Sequence, residues 1–368
     1  MRIIYDYNIG KYFTFQPSKK KPIYNWFYYK EAFSPEVVDY CLNLSGDVKS
    51  VYDPFMGIGT TLLRAKERGL SSIGRDVNPV AFLASYVKTR NYSNDELKEV
   101  EAFIHSLKIE EPSIKWRFEF FPPKRAFPPR NFKEILSIRE QIEHVDNKKI
   151  KNFLLLGLLS VLPMSSYIIK DGGVLKIDRR KRAARFLDVF KRKIKRMIKE
   201  SRLIRGKEPK IYLESSIDKE EEADIVITSP PYLNNVSYAN VYGLELSLLF
   251  LDEKITSKVR GMELSSFIKK KTISQIDSFA YLPIASNYFN DMKSVLKNIK
   301  VSKAAFFVVG NAIINNEHIL VDEVLSEIGE DMGFDATIIV GLVRKTRING
   351  LLHKVRESLI YFKKIEDF

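Results

Sequence analysis

The chain of 368 residues contains a single cysteine, Cys41, and only four histidines. One cysteine excludes a disulfide framework and a zinc site of the CxxC type. The histidines are scattered without the spacing of metal ligands, so the sequence predicts no metal site. The longest apolar stretch, residues 153–164, is interrupted and falls short of the roughly 20 residues of a membrane span. We therefore expect no membrane segment.

The N-terminus lacks the basic stretch followed by an apolar stretch that is typical of a signal peptide. We accordingly expect a soluble, cytoplasmic protein. Hydrophobic residues make up 45% of the chain and charged residues 29%, a balance that excludes wholesale disorder and low-complexity classes. The length is typical of one large catalytic core with an elaboration.

Positive charge is present in excess, and most of it lies in one block. The formal net charge is +14. Residues 176–210 contain sixteen Lys or Arg and four Asp or Glu, a net +12, so the other residues together carry +2. A concentrated basic block favours a polyanionic partner. A solvated helix face is the alternative that a charge run alone leaves open.

Short β-rich runs alternate with amphipathic helices along the chain, which is typical of a parallel sheet with helical crossovers. We predict five strands in the body of the chain and an antiparallel pair near its C-terminal end. The five are residues 49–52, 71–74, 210–213, 223–228 and 304–309, and the pair is 336–343 with 358–362.

Two stretches are too long for ordinary crossovers. Residues 91–209 have a helical pattern without a strand signal, apart from a Phe/Pro loop at 118–132, and we predict a helical, basic insertion there. A smaller insertion is predicted at 252–283. The catalytic domain then consists of residues 1–90 and 210–368.

A glycine loop lies between the first predicted strand and its helix. Gly57 and Gly59 allow the backbone to turn tightly and approach a ligand at the helix N-terminus. Asp76 follows Gly57 by 19 residues at the end of the next strand, where an acid can bind both hydroxyls of a ribose. There is no third glycine of the dinucleotide fingerprint and no GKS or GKT of a P-loop, which disfavours NAD enzymes and NTPases.

The residues around this loop resemble the cofactor-binding loop of amino-methylating DNA methyltransferases of the restriction-modification type. That family's pattern is close to DPFxGxGTT followed by GxDxNP, and this chain has DPFMGIGTT at 53–61 and GRDVNP at 74–79. The resemblance implies S-adenosyl-L-methionine as the cofactor. It implies cofactor contacts from Asp53, Pro54, Phe55, Gly57, Gly59, Thr60, Thr61, Asp76, Val77 and Asn78.

Other stretches extend the resemblance to residues 24–90 and 210–363. KEAFSPE at 30–36 resembles the family's N-terminal motif, which contributes to the methionine end of the cofactor and implies a contact from Ser34. Where the family often has an acid-containing turn after its third strand, this chain has LESS at 213–216. Glu214 or Ser215 is then expected on the adenine side.

The tetrapeptide SPPY at 229–232 follows a predicted buried strand and carries the strongest signal. An exocyclic base amine is a poor nucleophile, because its lone pair is delocalised into the ring. Acceptors at Ser229 Oγ and the Pro230 carbonyl can take its two N–H groups and direct the lone pair at a methyl carbon. Pro230 and Pro231 stiffen the loop, and Tyr232 can stack on a flipped base.

The resemblance implies a class I, Rossmann-like methyltransferase fold, with a seven-stranded, mostly parallel sheet containing one antiparallel strand. It implies duplex DNA as the substrate and cytosine N4 as the favoured target, since the tetrapeptide begins with serine. Adenine N6, an RNA base amine, and an inactive DNA-binding protein on the same fold are the alternatives. A cognate restriction endonuclease is the implied partner, and no feature of the sequence indicates an oligomeric state.

Two surfaces are candidates for DNA contact. After residue 185, apolar residues at helical spacing predict a helix whose stripe packs in the core and whose other faces are basic. The first candidates lie at the start of this region and are Arg179, Arg180, Lys181, Arg182 and Arg185. The second are Lys124 and Arg125 in the 118–132 loop, for which ordinary loop packing is the alternative.

Overall fold

The structure is a computed structural model that describes residues 1–171, 173–233, 236–264, 282–348 and 351–365. Most of the predicted smaller insertion therefore lies outside the described residues. Its first part contains a short helix, Ile255–Arg260. Within the described residues, no helix combines the length and apolar character needed to cross a lipid bilayer.

Eight strands of the described chain form one large sheet, and two short hairpins lie outside it. The sheet strands, in spatial order, are β1 (Arg2–Tyr5), β11 (Phe334–Ile348), β12 (Leu351–Lys364), β8 (Ile299–Gly310), β7 (Glu221–Thr228), β2 (Ser50–Asp53), β3 (Ser71–Asp76) and β6 (Lys210–Leu213). The hairpins are β4 (Ile168–Asp171) with β5 (Val174–Ile177), and β9 (Ala312–Ile314) with β10 (Glu317–Ile319). The class I methyltransferase fold is confirmed, and β1 adds an eighth strand to the seven predicted.

Strand directions determine where a site can form. β12 is antiparallel to both of its neighbours, β11 and β8, whereas the other neighbouring strands of the sheet pair in parallel. The carboxyl ends of β2, β3 and β7 consequently meet at one edge of the sheet. Ligands of open α/β sheets bind at this edge, and Asp53, Asp76 and Thr228 end these three strands.

The central strands are buried because helices cover both faces of the sheet. In β7 the run Ile225, Val226 and Ile227 is fully buried. The helices are α1 (Tyr7–Gly10), α2 (Pro35–Ser45), α3 (Thr60–Glu67), α4 (Pro79–Thr89), α5 (Asn94–Ser106), α6 (Pro129–Glu143), α7 (Lys148–Val161), α8 (Phe186–Glu200), α9 (Tyr238–Val241), α10 (Gly243–Phe250), α11 (Ile255–Arg260), α12 (Pro283–Asn298) and α13 (Val321–Glu330).

Two helices start at the predicted motifs. α4 is capped by Asn78, whose side chain accepts hydrogen bonds from the amides of Val80 and Ala81, with Pro79 in the first turn. α3 follows Gly59, which has φ +77°, a left-handed conformation that favours glycine. A side chain at Gly59 would also collide with Ser85 of α4. The second glycine of the loop thus serves close helix packing.

The predicted helical insertion contains α5 to α8, but it also contains the β4–β5 hairpin that the sequence reading missed. Two strands of four residues give too short a period-2 pattern to be recognised. The apolar stripe of α8 is buried as predicted, with Phe186, Phe190, Ile194 and Met197 in the core. This core is continuous with that of α4, so the insertion and the catalytic domain share one hydrophobic cluster.

The C-terminal strands are longer than predicted. β11 and β12 pair well beyond the predicted 336–343 and 358–362, as far as Ile348 and Leu351. The additional residues are mostly polar and basic, so they lack the apolar alternation by which a strand is recognised. Cross-strand hydrogen bonding nevertheless continues.

Candidate active site

A cleft of about 980 Å³, including its open mouth, lies at the carboxyl edge of β2, β3 and β7. Twelve of the residues predicted from the sequence line it. They are Asp53, Pro54, Phe55, Gly57, Thr60, Asp76, Val77, Asn78, Glu214, Ser215, Ser229 and Pro231. The fold therefore brings the glycine loop, the acid turn and the tetrapeptide to a single cleft.

Asp76 is held by the backbone of both motifs. Its Oδ2 accepts a hydrogen bond from the Gly57 amide and its Oδ1 one from the Asn78 amide, each at 2.8 Å. Burial raises the pKa of Asp76 to about 6, against the lowering effect of these amides. Each carboxylate oxygen has a second lone pair, so the group can still accept hydrogen bonds from a pair of ligand hydroxyls.

Gly57 provides open space next to that carboxylate. Its φ is +49°, and a Cβ built on it would have no atom within 4 Å. A ligand can therefore approach this stretch of backbone closely, at the N-terminal end of α3. Gly59, in contrast, does not line the cleft and is constrained by α4.

Asp53 joins the glycine loop to β7. Its Oδ1 accepts hydrogen bonds from the Thr228 hydroxyl at 2.6 Å and from the Phe55 amide at 3.1 Å. Thr61 adds a link between the same elements, because its hydroxyl donates to the Ile227 carbonyl at 3.3 Å. Burial raises the pKa of Asp53 to about 6. Thr61 thus supports the site from outside the cleft.

The tetrapeptide presents alternate residues to the cleft. Ser229 and Pro231 line it, Pro230 is buried, and Tyr232 lies outside its lining. The Tyr232 ring packs on Gly310, where an added Cβ would lie 2.9 Å from two ring carbons. Burial raises the pKa of the Tyr232 phenol. One side of the Tyr232 ring is thus covered by the end of β8.

The wall opposite the glycine loop consists of residues that the sequence reading did not assign to the site. Tyr29, Glu31 and Tyr238 line it. Tyr29 stacks on Tyr242 with 4.5 Å between ring centroids and an interplanar angle of 6°. The Tyr242 hydroxyl donates to Glu31 at 2.9 Å. Glu31 belongs to the 30–36 motif, and Tyr238 belongs to the stretch 210–363 that resembles the methyltransferase family. The sequence therefore gave a weak signal for both residues.

Glu263 completes this wall, and its position within the predicted smaller insertion gave no signal. It accepts hydrogen bonds from the Ser237 hydroxyl at 2.8 Å and the Ala239 amide at 2.6 Å. Burial raises the pKa of Glu263 to about 7, and the charge of Asp76 raises it further. Asp76 and Glu263 thus both line the cleft, close enough for their charges to interact.

The hairpin of the insertion supports the same wall. Lys170 of β4 lies 3.9 Å from the centroid of the Tyr242 ring and pairs with the buried Glu245 at 2.7 Å. At the hairpin turn, Gly173 with φ +88° packs against Val236, which lines the cleft. The insertion therefore contacts the residues that follow the SPPY tetrapeptide.

Ser34 lies away from the cleft, in contrast to the sequence expectation. Its hydroxyl donates to the Thr14 carbonyl at 2.7 Å and accepts from Ser18 at 3.2 Å, and the side chain is fully buried. The preceding residues, 31–33, line the cleft instead. Members of the 30–36 motif other than Ser34 therefore reach the cleft.

The predicted DNA-contacting residues differ in their surroundings. Lys181 is partly buried and donates to the carbonyls of Pro163 and Ile168, so it stabilises the insertion instead of facing outward. Arg180 pairs with Asp178, and Arg185 pairs with Glu134. Exposed positions are occupied by Arg179, whose guanidinium lies over the Tyr167 ring, and by Arg182, Lys124 and Arg125.

Within the described residues, no group of three or more His, Cys, Asp or Glu side chains is arranged to hold a metal ion.

No family model matches the chain. Among curated proteins, the chain is 27% identical to the type II methyltransferase M.BsoBI of Geobacillus stearothermophilus, over 84% of this chain and 70% of that protein. It is 25% identical to the type II methyltransferase M.AvaI of a Nostoc species, over 90% and 83%.

A shorter match, 33% identical over 26% of this chain and 18% of the relative, is to the type II methyltransferase M.MjaII of Methanocaldococcus jannaschii. Among solved structures, TehB from Haemophilus influenzae is 8% identical with a TM-score of 0.31, covering 90% of this chain and 62% of that chain. Similarity at that score is too low to assign a function. The resemblance to restriction-modification methyltransferases is confirmed by the curated relatives.

Proposed function

On the premise that this chain is a homologue of type II methyltransferases, we propose that it methylates the exocyclic amine of a base flipped out of duplex DNA, with cytosine N4 as the target. The observation that carries the proposal is the cleft itself. Ser229 of the tetrapeptide and Asp76 of the acid turn line the same cleft, and Asp53 of the glycine loop accepts a hydrogen bond from Thr228, the residue before the tetrapeptide.

S-adenosyl-L-methionine is the cofactor, and the residues present fit it. Asp76 offers carboxylate lone pairs to ribose hydroxyls, and Gly57 leaves its backbone open. Glu214 and Ser215 also line the cleft, which supports their proposed role on the adenine side. When bound, the cofactor supplies an activated methyl group on a sulfonium. Glu31, on the opposite wall, offers negative charge that suits a cationic ligand.

The chain's own residues prepare the amine. Ser229 Oγ and the Pro230 carbonyl accept its N–H groups, which aims the nitrogen lone pair into the cleft. Two adjacent prolines fix the geometry of these acceptors before the substrate arrives. Because the Tyr232 ring packs on Gly310, its position is fixed in advance as well.

Serine at the first position of the tetrapeptide supports cytosine N4 over adenine N6. The exposed basic residues of the insertion, Arg179 and Arg182, supply a surface for phosphates. The names of the relatives support a restriction-modification role, with a cognate endonuclease acting on the same DNA site in the cytoplasm.

The test is to incubate the purified protein with tritiated S-adenosyl-L-methionine and either duplex DNA or tRNA, followed by digestion to nucleosides. We expect label in N4-methylcytosine from the duplex. Label in N6-methyladenine would correct the base, and label only in a tRNA nucleoside would overturn the DNA substrate. If no nucleoside from either substrate carries label, the protein is inactive as a methyltransferase on both.

Cofactor binding has its own test in Asp76→Ala, with Asp95→Ala at an exposed position of α5 as the control. Hydrogen bonds to a charged group contribute about 1.5–3 kcal/mol. We therefore expect calorimetry to show roughly 10- to 100-fold weaker cofactor binding for Asp76→Ala and wild-type binding for the control. Equal affinities would remove Asp76 from the cofactor site.

A further inference from the structure

The β11–β12 hairpin continues past the end of its neighbour β8. Gly310, the last residue of β8, pairs with Glu357 of β12, and β12 goes on pairing with β11 as far as Leu351. The six residue steps from Glu357 to Leu351 span about 20 Å at roughly 3.3 Å per residue. The hairpin therefore extends beyond the sheet. We call this extension, residues 342–348 and 351–356, the basic arm.

The basic arm begins beside the catalytic tetrapeptide. β11 runs in the same direction as β8, because both are antiparallel to β12, so the arm leaves the sheet at the carboxyl edge that holds the cleft. A Cβ on Gly310 would lie 2.9 Å from the Tyr232 ring and 3.6 Å from Cγ of Glu357. A register shift between Val340 and Leu342 marks the point where the arm starts, and such bulges bend a strand.

Charge is distributed unevenly along the arm. Residues 342–356 include five Lys or Arg and no Asp or Glu. At the base, Arg344 pairs with Glu357 at 3.0 Å, and Arg356 pairs with Asp322 at 2.6 Å. The charges nearest the sheet are thus balanced by acids of the sheet and of α13.

Lys345 and Lys354 differ from this pattern. They are direct cross-strand partners, and both are exposed. Within the described residues, neither forms an ion pair. Like charges directly opposite each other on two strands are destabilising. Among the described residues, no acid pairs with either lysine to offset this repulsion, and a bound polyanion would offset it.

We propose that the basic arm is a second DNA-binding surface, on which Lys345 and Lys354 contact phosphates of the duplex to one side of the flipped base. This inference rests on the proposed function, because the polyanion that reaches the cleft is then the substrate duplex. A two-stranded β-ribbon fits the major groove of B-DNA. The reach of about 20 Å from the sheet lets the arm contact the duplex several base pairs from the target.

The test compares wild type with Lys345→Ala/Lys354→Ala and with a matched control, Lys363→Ala/Lys364→Ala. The control residues are exposed on the same strand, β12, at the opposite edge of the sheet. Binding to a fluorescent duplex is measured by anisotropy over a series of salt concentrations. Each phosphate contact contributes about 0.9 to the slope of log K against log salt, so the arm variant should flatten the slope by about 2.

The control should keep the wild-type slope, and all three proteins should bind S-adenosyl-L-methionine equally. The arm variant should melt at no lower temperature than wild type, because it removes a repulsive pair. A wild-type slope for the arm variant, alongside measurable DNA binding, would overturn the arm as a contact and leave the proposed function standing. Failure of the wild-type protein to bind duplex DNA would overturn both.

Discussion

The two walls of the cleft are built in different ways. One wall comes from a single stretch, residues 53–78, in which carboxylates are held mainly by nearby backbone amides. The other wall is assembled from segments far apart in the chain, and its contacts run between side chains, such as Tyr242 with Glu31 and Lys170 with Glu245. The geometry of the first wall depends on backbone conformation. The stability of the second wall depends on buried charged side chains and their partners.

This difference predicts different responses to substitution. In the first wall the sensitive positions should be glycines, because their conformations aim the amides. In the second wall they should be ionic partners, because a charge left alone in a buried site is costly. Three sets of variants test this difference between the two walls.

The largest effect is expected at the second wall, with Lys170→Met. It leaves the Glu245 carboxylate buried without its cation, a loss worth about 3–5 kcal/mol in comparable pairs. We expect urea unfolding to show a decrease of that order. Lys170→Met/Glu245→Gln should regain most of it, since both charges are then removed. A single variant as stable as wild type would show that the pair contributes little.

A smaller effect is expected at the first wall, where Gly59→Ala should destabilise the protein by about 2–5 kcal/mol. A left-handed conformation costs a non-glycine residue about 1–2 kcal/mol, and forcing extra volume into a packed site costs about 1–3. Gly57→Ala is the matched control, with a positive φ but open space around its Cβ. It should lose only about 1 kcal/mol. Equal losses for the two variants in urea unfolding would contradict the packing role of Gly59.

The third variant, Glu263→Gln, concerns pH. Burial raises the pKa of Glu263 from 4.5 to about 7 in the folded chain. The folded state therefore binds more protons than the unfolded state in that range, so stability falls as pH rises from about 4.5 to 7. At about 1.4 kcal/mol per pKa unit the loss is of order 3 kcal/mol. In Glu263→Gln, unfolding measured across this range should show a correspondingly flatter pH dependence.

The same contrast explains what the sequence could predict. The first wall was found because its residues lie close together in the chain and match a known pattern, and the structure brings Asp53, Gly57 and Asp76 to the cleft as expected. The second wall was mostly missed. A contact such as Lys170 with Glu245 joins residues 75 positions apart and leaves no periodic or spaced signal.

The distribution of charged residues along the sequence likewise predicted only part of the structure. It indicated the basic block at 176–210, but it does not distinguish a lysine that hydrogen-bonds inside the protein, such as Lys181, from one that faces solvent. It also gave no indication that Lys345 and Lys354 lie opposite each other, because that pairing depends on strand register. Pairing across strands is a tertiary property, so the basic arm became visible only once the register was known.

The strand β1 has a consequence for self-association. It pairs in parallel with β11, which has fifteen residues and would otherwise form the outer edge of the sheet. An uncovered edge of that length is a template for joining sheets of separate molecules into aggregates. β1 pairs with Thr337–Val340 and so covers the middle of this edge, and the opposite edge strand, β6, has only four residues. The first five residues therefore help to keep copies of the chain apart at high concentration.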